Sequence, residues 1–350
     1  MTAVRFDNVS IIFGNNPQQA LALADGGKTR DEISAQTGLV LGVANASLTV
    51  EEGEILVLMG LSGSGKSTLL RAVNALAPVV RGDVQVFSGG KPTNPYKCGQ
   101  QQLRDLRMRT VSMVFQQFAL LPWRSVAENV GFGLELAGVP EAERKKRVAE
   151  QLELVNLSQW ADRKVQELSG GMQQRVGLAR AFATGAPILL MDEPFSALDP
   201  LIRTRLQDEL LEFQRRLKKT ILFVSHDLDE AFRIGNRIAI MEGGRIIQCG
   251  TPQEIVKNPA DQYVADFVQH MNPITMLTAR DVMRSGVAPG NGGSSVSATA
   301  LATTPLIDIL DALARVPGSI GVVDNGQIIG TISAQEIVVG LTRHRQKETA

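Results

Sequence analysis

Apolar and polar residues alternate near the start of the chain and form nearly continuous apolar runs further along it. The alternation in VRFDNVSIIFG (4–14) predicts a strand with one buried face. NASLTV (45–50) predicts another strand, and the apolar run EILVLMG (54–60) predicts one buried on both faces. VSMVFQ, PILLMD and TILFVS predict further strands at 111–116, 187–192 and 220–225. Helical patterns alternate with these strands, which predicts an α/β domain with parallel strands.

Two stretches depart from this alternation. Residues 15–41 interrupt it with QQALALAD and TRDEISAQTG, which predict two short helices. After about residue 270 the pattern changes, and GVAPGNGGSSVSATA (286–300) predicts a loop or linker. PLIDILDALA then predicts a helix, SIGVVDNGQIIGTIS two strands around an Asn-Gly turn, and AQEIVVGL a closing helix. We therefore expect a second, small β–α–β–β–α unit.

Charge and cysteine content narrow the function classes. The 350 residues carry 36 Lys and Arg against 36 Asp and Glu, so the basic excess typical of nucleic-acid binding is missing. The two cysteines, Cys98 and Cys249, lie outside any zinc spacing and fit a reducing compartment. The N-terminus lacks a basic-then-apolar signal segment, and no run approaches the roughly 18–20 apolar residues that cross a bilayer. A membrane process would therefore need a separate spanning chain.

A glycine-rich stretch carries the strongest chemical signal. GLSGSGKS (60–67) has the spacing of a phosphate-binding loop and lies between an apolar strand and a helix. Its backbone N–H groups can surround phosphate oxygens at the start of that helix. We expect Lys66 to reach the β- and γ-phosphates and Ser67 to bind Mg²⁺. The expected nucleotide-binding residues are Gly60, Ser62, Gly63, Ser64, Gly65, Lys66, Ser67 and Thr68.

Acidic and histidine side chains follow two other buried strands. In PILLMDEP (187–194) the strand ends at Asp192, which could hold Mg²⁺, and the next residue, Glu193, could act as the general base for an attacking water. His226 in VSHD follows TILFVS and would contact the γ-phosphate and fix the geometry of Glu193 and water. The alternatives are two solvated acids and a structural histidine. The other histidines, His270 and His344, have no motif around them and are expected at the surface.

LSGGMQQR (168–175) places two glycines at the start of a helical pattern, although Gly in a helix costs about 1 kcal/mol relative to Ala. With this stretch the chain strongly resembles the ATP-binding subunit of an ABC transporter over about 3–270. The resemblance implies a homodimer in which Ser169, Gly170 and Gly171 approach the γ-phosphate of the partner's ATP. It also implies that Gln116 takes part in catalysis and senses Mg²⁺, that Asp199 in SALD lies at the dimer interface, and that Phe13 stacks on adenine.

The resemblance also implies a domain organisation. The ATPase domain is expected over 1–270, with a helical subdomain at about 117–175, followed by a linker at 271–279. TARDVM (278–283) and GVVDNGQIIGTIS (321–333) resemble the start and the hairpin of a cystathionine-β-synthase-like (CBS) motif. We expect one such motif over 280–343 and a tail at 344–350. Two chains could pair their single motifs, or the unit could be degenerate.

The inserted segment, the C-terminal unit and MVFQQFALLPWRSVAENV together look like ATPases of quaternary-amine importers. The expected partners are a transmembrane permease and, through it, a substrate-binding protein. The permease would contact an apolar group formed by Phe118, Leu120, Leu121 and Trp123, whose alternative role is in the helical-subdomain core. The expected location is the cytoplasmic face of a bacterial inner membrane. Choline is favoured slightly over glycine betaine, although no ATPase residue touches the solute.

Three other functions are alternatives to import of a quaternary amine. A soluble ABC ATPase for DNA repair or ribosomes would usually carry coiled-coil insertions or two cassettes, whereas this sequence has one phosphate loop and no heptad run. A nucleotide-sensing switch without turnover conflicts with the presence of Glu193 and His226. An importer of another small solute is the remaining alternative.

Overall fold

The computed structural model describes residues 1–196, 198–269, 274, 277–285, 296–315 and 317–346. The chain divides into two compact units, Met1–Thr251 and Pro252–Ala350. The sequence predicts residue 270 as the end of the ATPase domain, whereas the first compact unit ends at Thr251. Most of the expected linker (271–279), the stretch 286–295, His270 and the end of the expected tail lie outside the described residues.

The first unit contains two sheets. Its strands in chain order are β1 Thr2–Phe13, β2 Val40–Glu51, β3 Ile55–Met59, β4 Val79–Ser88, β5 Lys91–Thr93, β6 Val111–Val114, β7 Ile188–Asp192, β8 Thr220–Val224, β9 Arg237–Glu242 and β10 Arg245–Gly250. One antiparallel sheet has the order β2-β1-β4-β5, and the other sheet has the order β10-β9-β3-β8-β7-β6. In the second sheet β9, β3, β8, β7 and β6 are parallel, and β10 is antiparallel to β9. The predicted α/β fold class is confirmed.

The first unit also contains α-helices between these strands. They are α1 Gln18–Asp25, α2 Arg30–Thr37, α3 Lys66–Ala72, α4 Gln100–Asp105, α5 Val126–Leu136, α6 Glu141–Leu154, α7 Gly170–Ala183, α8 Pro200–Leu217 and α9 Leu228–Ile234. A π-helical turn, Leu106–Thr110, follows α4, and two 3₁₀ turns, Ser158–Trp160 and Val165–Glu167, precede α7. Every residue of β3, β7 and β8 is buried, which is why these strands read as continuous apolar runs.

Apolar clusters among the described residues pack the first unit. One joins both sheets to α3, through side chains such as Phe6, Val84, Leu58, Leu190 and Leu69. A second cluster joins α5, α6 and α7, in the region of the expected helical subdomain. A third cluster packs the inserted helices α1 and α2 against β1 and β2, with Ile33 and Leu41 at most 1% exposed. The two predicted inserted helices are therefore present, and they form a folded layer on the antiparallel sheet.

The second unit contains α10 Pro252–Lys257, α11 Gln262–Gln269, α12 Ala279–Val282, β11 Arg284–Ser285, β12 Val296–Leu301, α13 Leu306–Arg315, β13 Ser319–Asp324, β14 Gln327–Ile332 and α14 Ala334–Gln346. Its sheet has the order β11-β14-β13-β12. Asn325 and Gly326, with φ of 49° and 79°, make the predicted tight turn of the β13–β14 hairpin. Among the described residues, no helix is long and apolar enough to cross a membrane.

One predicted loop is wrong in part. Residues 296–300, expected in a Gly- and Ser-rich loop or linker, belong to β12, which pairs in parallel with β13. Half-buried Val296, Ala298 and Ala300 alternate with exposed residues along this strand. Because the inward residues are mostly small, their alternation is weak beside the Gly- and Ser-rich composition.

Candidate nucleotide-binding and hydrolysis site

The phosphate loop connects β3 to α3. Gly65, immediately before α3, has φ of 100°, and a β-carbon there would overlap the carbonyl oxygen of Gly42. Only glycine fits this combination of a left-handed backbone and a close backbone neighbour. Ser62 and Gly63 are exposed, whereas the Ser64 hydroxyl is buried and has no hydrogen-bond partner among the described residues. A buried, unpaired hydroxyl in this loop fits a group that accepts or donates a hydrogen bond there, as a phosphate does.

Lys66 is the first residue of α3, and its side chain folds back over the loop. The Lys66 ammonium donates to the carbonyl oxygens of Gly60 and Leu61, at 2.8 and 2.9 Å. Burial lowers the pKa of Lys66, while the carboxylates of Glu193 and Asp192 raise it. The cation is therefore held beside the loop by carbonyls that phosphate oxygens can replace.

Ser67 and Asp192 meet beside Lys66. The Ser67 hydroxyl donates to Asp192 Oδ1 at 2.6 Å, and Arg71 Nη2 lies 2.9 Å from Asp192 Oδ2. Asp192 is 1% exposed at the end of β7. A hydroxyl and a carboxylate are the hard oxygen ligands that Mg²⁺ takes together with phosphates. In the described part of the chain, no group of three or more His, Cys, Asp or Glu side chains could hold a metal.

The Glu193 side chain contacts residues that follow the two strands beside its own. Glu193 Oε2 accepts a hydrogen bond from Gln116 Nε2 at 3.1 Å and lies 3.2 Å from His226 Nδ1. Gln116 follows β6, Glu193 follows β7 and His226 follows β8, and these strands are adjacent in the sheet. Glu193 has φ of 46°, a strained conformation for a residue with a side chain. The Glu193 side chain is only 18% exposed, so its carboxylate has a defined position in which it can orient a water.

A polar cluster behind His226 was not predicted. Buried Glu230 accepts hydrogen bonds from the Ser225 hydroxyl and from Gln207 Nε2. Burial raises the pKa of Glu230, and Asp227 beside it forms an ion pair with Arg203 at 2.7 Å. The spacing Asp227-x-x-Glu230 is a helix-start pattern that could have pointed to this cluster, because Asp227 caps α9 by accepting from Glu230 N.

The LSGGMQQR segment begins α7. Ser169 caps this helix, with its hydroxyl accepting from Met172 N at 3.4 Å. A β-carbon at Gly170 would meet no atom within 4 Å, and one at Gly171 would lie 3.4 Å from Ile202 in α8. Asp199 caps α8 by accepting from Ile202 N at 3.1 Å. Ser169, Gly170 and Asp199 are exposed and Gly171 is half-buried, so this face is open to solvent.

Two further contacts position the site. Gln174, fully buried in α7, donates to the carbonyl oxygen of Pro194 and so ties α7 to the loop after Glu193. This link was not predicted. Phe13, at the end of β1, is 40% exposed. A β-carbon at Gly42 would lie 3.0 Å from both Phe13 Cε2 and Thr68 Cγ2. Phe13 therefore lies close to the start of α3.

Comparisons with known proteins agree with this arrangement. The ABC transporter family matches residues 43–196. The chain is 49% identical over 277 residues to the glycine betaine/proline betaine transport ATP-binding protein ProV of Salmonella typhimurium, covering 79% of this chain and 68% of ProV. It is 43% identical over 328 residues to the trimethylamine N-oxide transport ATP-binding protein TmoW of Ruegeria pomeroyi, covering 94% of each.

A solved structure is similar to a large part of this chain. The dimeric post-hydrolysis structure of the ATP-binding cassette MJ0796 with ADP and Pi superimposes with a TM-score of 0.59 at 30% identity, covering 71% of this chain and 98% of MJ0796. The ATPase prediction is confirmed: this chain belongs to the ABC transporter family as an ATP-hydrolysing, ATP-binding subunit.

Proposed function

We propose that this ATPase energises import of a small methylated amine, of the betaine or quaternary-amine class, through a separate permease. The observation that carries the proposal is the alignment with TmoW, which spans 94% of both chains and so runs through both compact units. ProV and TmoW are named for glycine betaine, proline betaine and trimethylamine N-oxide. These names give choline no advantage over glycine betaine, and choline is therefore one arm of the test.

The proposed hydrolytic mechanism assigns a role to each side chain. The phosphate loop and Lys66 bind the phosphates of ATP, and the carbonyls that Lys66 now contacts are exchanged for phosphate oxygens. Ser67 and Asp192 would hold Mg²⁺, and the bound ion would neutralise charge that develops on the phosphates. Glu193 accepts a proton from the attacking water, and Gln116 and His226 orient the Glu193 carboxylate. Gln116 would also contact Mg²⁺, and His226 the γ-phosphate.

We propose further that two copies of the chain complete the site. The open face around Ser169, Gly170 and Gly171, with Asp199 at the start of α8, would approach the γ-phosphate of ATP on the partner subunit. The empty space at Gly170 supports this, because a γ-phosphate can approach a backbone that has no side chain in front of it. The similar MJ0796 cassette is described as dimeric, which also supports a homodimer.

The proposed permease contact involves fewer exposed apolar residues than the sequence predicts. Trp123 is 69% exposed, whereas Phe118, Leu120 and Leu121 are half-buried. Leu120 packs on the helical-subdomain core, and Arg180 donates to the Phe118 and Ala119 carbonyls. Trp123 borders a groove of about 820 Å³ between α5 and α6, which can receive a short cytoplasmic segment of a permease. A chain docked there would work peripherally at the cytoplasmic face of the membrane, with a substrate-binding protein on the far side.

We propose that the C-terminal unit within 280–343 is a single CBS-like motif built from β12, α13, β13, β14 and α14. The parallel β12–β13 pair around α13 and the β13–β14 hairpin support this proposal. No ligand or ionic-strength response is assigned to it.

Uptake of labelled solutes tests the proposed function. A strain that lacks this gene is compared with strains complemented by the wild type or by Glu193→Gln, with labelled glycine betaine, choline and trimethylamine N-oxide. Loss of one of these uptakes, restored by the wild type and not by Glu193→Gln, identifies the solute. Unchanged uptake of all three would overturn the proposal in favour of another small solute.

A further inference from the structure

An arginine of the inserted segment contacts the phosphate loop. Arg30, the first residue of α2, donates from Nη1 to the carbonyl oxygen of Gly63. Gly63 lies in the exposed middle of GLSGSGKS, 33 residues further along the chain. Arg30 belongs to none of the motifs that identify the nucleotide site.

The inserted helices hold Arg30 in a fixed position. Thr29 caps α2 through a reciprocal pair of hydrogen bonds with Glu32, at 2.8 and 3.3 Å. Ile33 is fully buried one turn later. Arg245 Nη2 donates to the carbonyl of Ala24 at 2.7 Å, which ties α1 to β10. The guanidinium therefore extends from a packed, capped helix and not from a mobile loop.

The contact has a direct consequence for the loop. Lys66 binds the Gly60 and Leu61 carbonyls from inside the loop, and Arg30 binds the Gly63 carbonyl from the inserted segment. A charged donor fixes a carbonyl more strongly than a neutral one does. With Gly63 fixed, the loop loses less conformational entropy when its N–H groups close around phosphates. Preorganisation of this kind raises nucleotide affinity.

We propose that Arg30 is a positioning residue that preforms the phosphate loop for ATP. Its effect is on nucleotide affinity, because Gly63 belongs to the binding loop and the Glu193 cluster lies on other strand ends. The proposal rests on ATP binding alone and is independent of the transported solute.

The test compares three variants of the full-length chain in its assembled transporter. Arg30→Met removes the donors and keeps the length, Arg30→Lys keeps a charge and a donor, and Lys28→Met is the matched control. Lys28 lies two residues earlier and pairs with Glu32 at 2.8 Å, so its variant removes a nearby charge without touching the loop. The Kd of a fluorescent ATP analogue, the KM for ATP and kcat are measured, together with the melting temperature.

For Arg30→Met we expect the KM for ATP and the Kd of the analogue to rise about tenfold, with kcat nearly unchanged. Arg30→Lys should recover part of the affinity, and Lys28→Met should match the wild type. A KM for Arg30→Met equal to that of Lys28→Met would overturn the proposal. So would a loss of kcat without a change in KM, or a fall in melting temperature that accounts for the affinity loss. Arg30→Gln serves as the second variant if Arg30→Met does not fold. Solute uptake at saturating ATP is expected to persist in all variants, which separates this test from the proposed transport function.

Discussion

Replacement of Glu193 by glutamine tests the proposed hydrolytic role most directly. The carboxamide has the size and shape of the carboxylate, and its oxygen can occupy the place of Oε2, where Gln116 Nε2 and His226 Nδ1 lie at 3.1 and 3.2 Å. Both side chains require the same left-handed backbone at φ of 46°, so the backbone strain is unchanged. What Glu193→Gln removes is the negative charge and the ability to accept a proton from water.

The expected loss follows from this difference. Proton transfer to a positioned base contributes about 10²–10⁴ in rate, which corresponds to roughly 3–5 kcal/mol of transition-state stabilisation. Nucleotide affinity should stay within about twofold, because Lys66, Ser67 and Asp192 keep their own contacts. The variant should therefore bind ATP normally and hydrolyse it at no more than about one hundredth of the wild-type rate.

Phosphate release by the assembled transporter at saturating ATP measures kcat, and a fluorescent ATP analogue measures binding by the same preparation. Glu242→Gln, an exposed carboxylate at the end of β9 in the same sheet, is the matched control. A Glu193→Gln rate above about a tenth of wild type would refute the role of Glu193 as general base. Weak ATP binding by Glu193→Gln would instead show that this carboxylate shapes the binding pocket.

Three other substitutions probe separate parts of the molecule. Ser169→Arg replaces the exposed residue that caps α7 and should cost about 1 kcal/mol of stability. It should leave ATP binding to the phosphate loop intact and abolish hydrolysis. Normal phosphate release by this variant would contradict the two-subunit site. Gly65→Ala should weaken ATP binding by more than tenfold, since its β-carbon meets Gly42 and its positive φ adds about 1–2 kcal/mol of strain; equal affinity in a titration would show that the loop relaxes. Burial raises the pKa of Glu230 above its ordinary 4.5, so the folded state keeps a proton that the unfolded chain releases, and stability falls as pH rises from about 4.5 through the folded pKa. The free energy of unfolding of Glu230→Gln, measured with urea across pH 4.5–8, should lack this fall with pH. If the variant shows the same fall as the wild type, other groups cause it.

Local signals account for the parts of the fold and site that could be predicted. Asp192 ends a buried strand, the phosphate loop, Glu193 and His226 each follow one, and adjacent parallel strands end at one edge of a sheet. Residue type and spacing in the sequence therefore predict that these residues lie close together. Their catalytic roles stay predictions.

Long-range packing accounts for the parts that could not be predicted. Gln174 meets Pro194, and Gln207 meets Glu230, only because α7, α8 and α9 pack on the same sheet. The sequence did not decide whether Phe118 and Leu120 face the core or solvent, because both lie in an irregular segment before α5, where neither helical nor strand periodicity applies. The strand β12 was missed because its inward residues are mostly alanine, which carries little hydrophobic signal.

The pairing at the base of the inserted segment makes that segment a separable module. Phe13 and Val40 are partners at the end of the β1–β2 ladder, so the chain leaves and re-enters the antiparallel sheet at one place. A two-residue Asn-Gly turn could close the same ladder. The cassette core could therefore gain or lose α1 and α2 as one block in the course of evolution, with strand register preserved. Such a block exchange would leave the hydrolytic strand ends intact and remove the Arg30 contact in a single step.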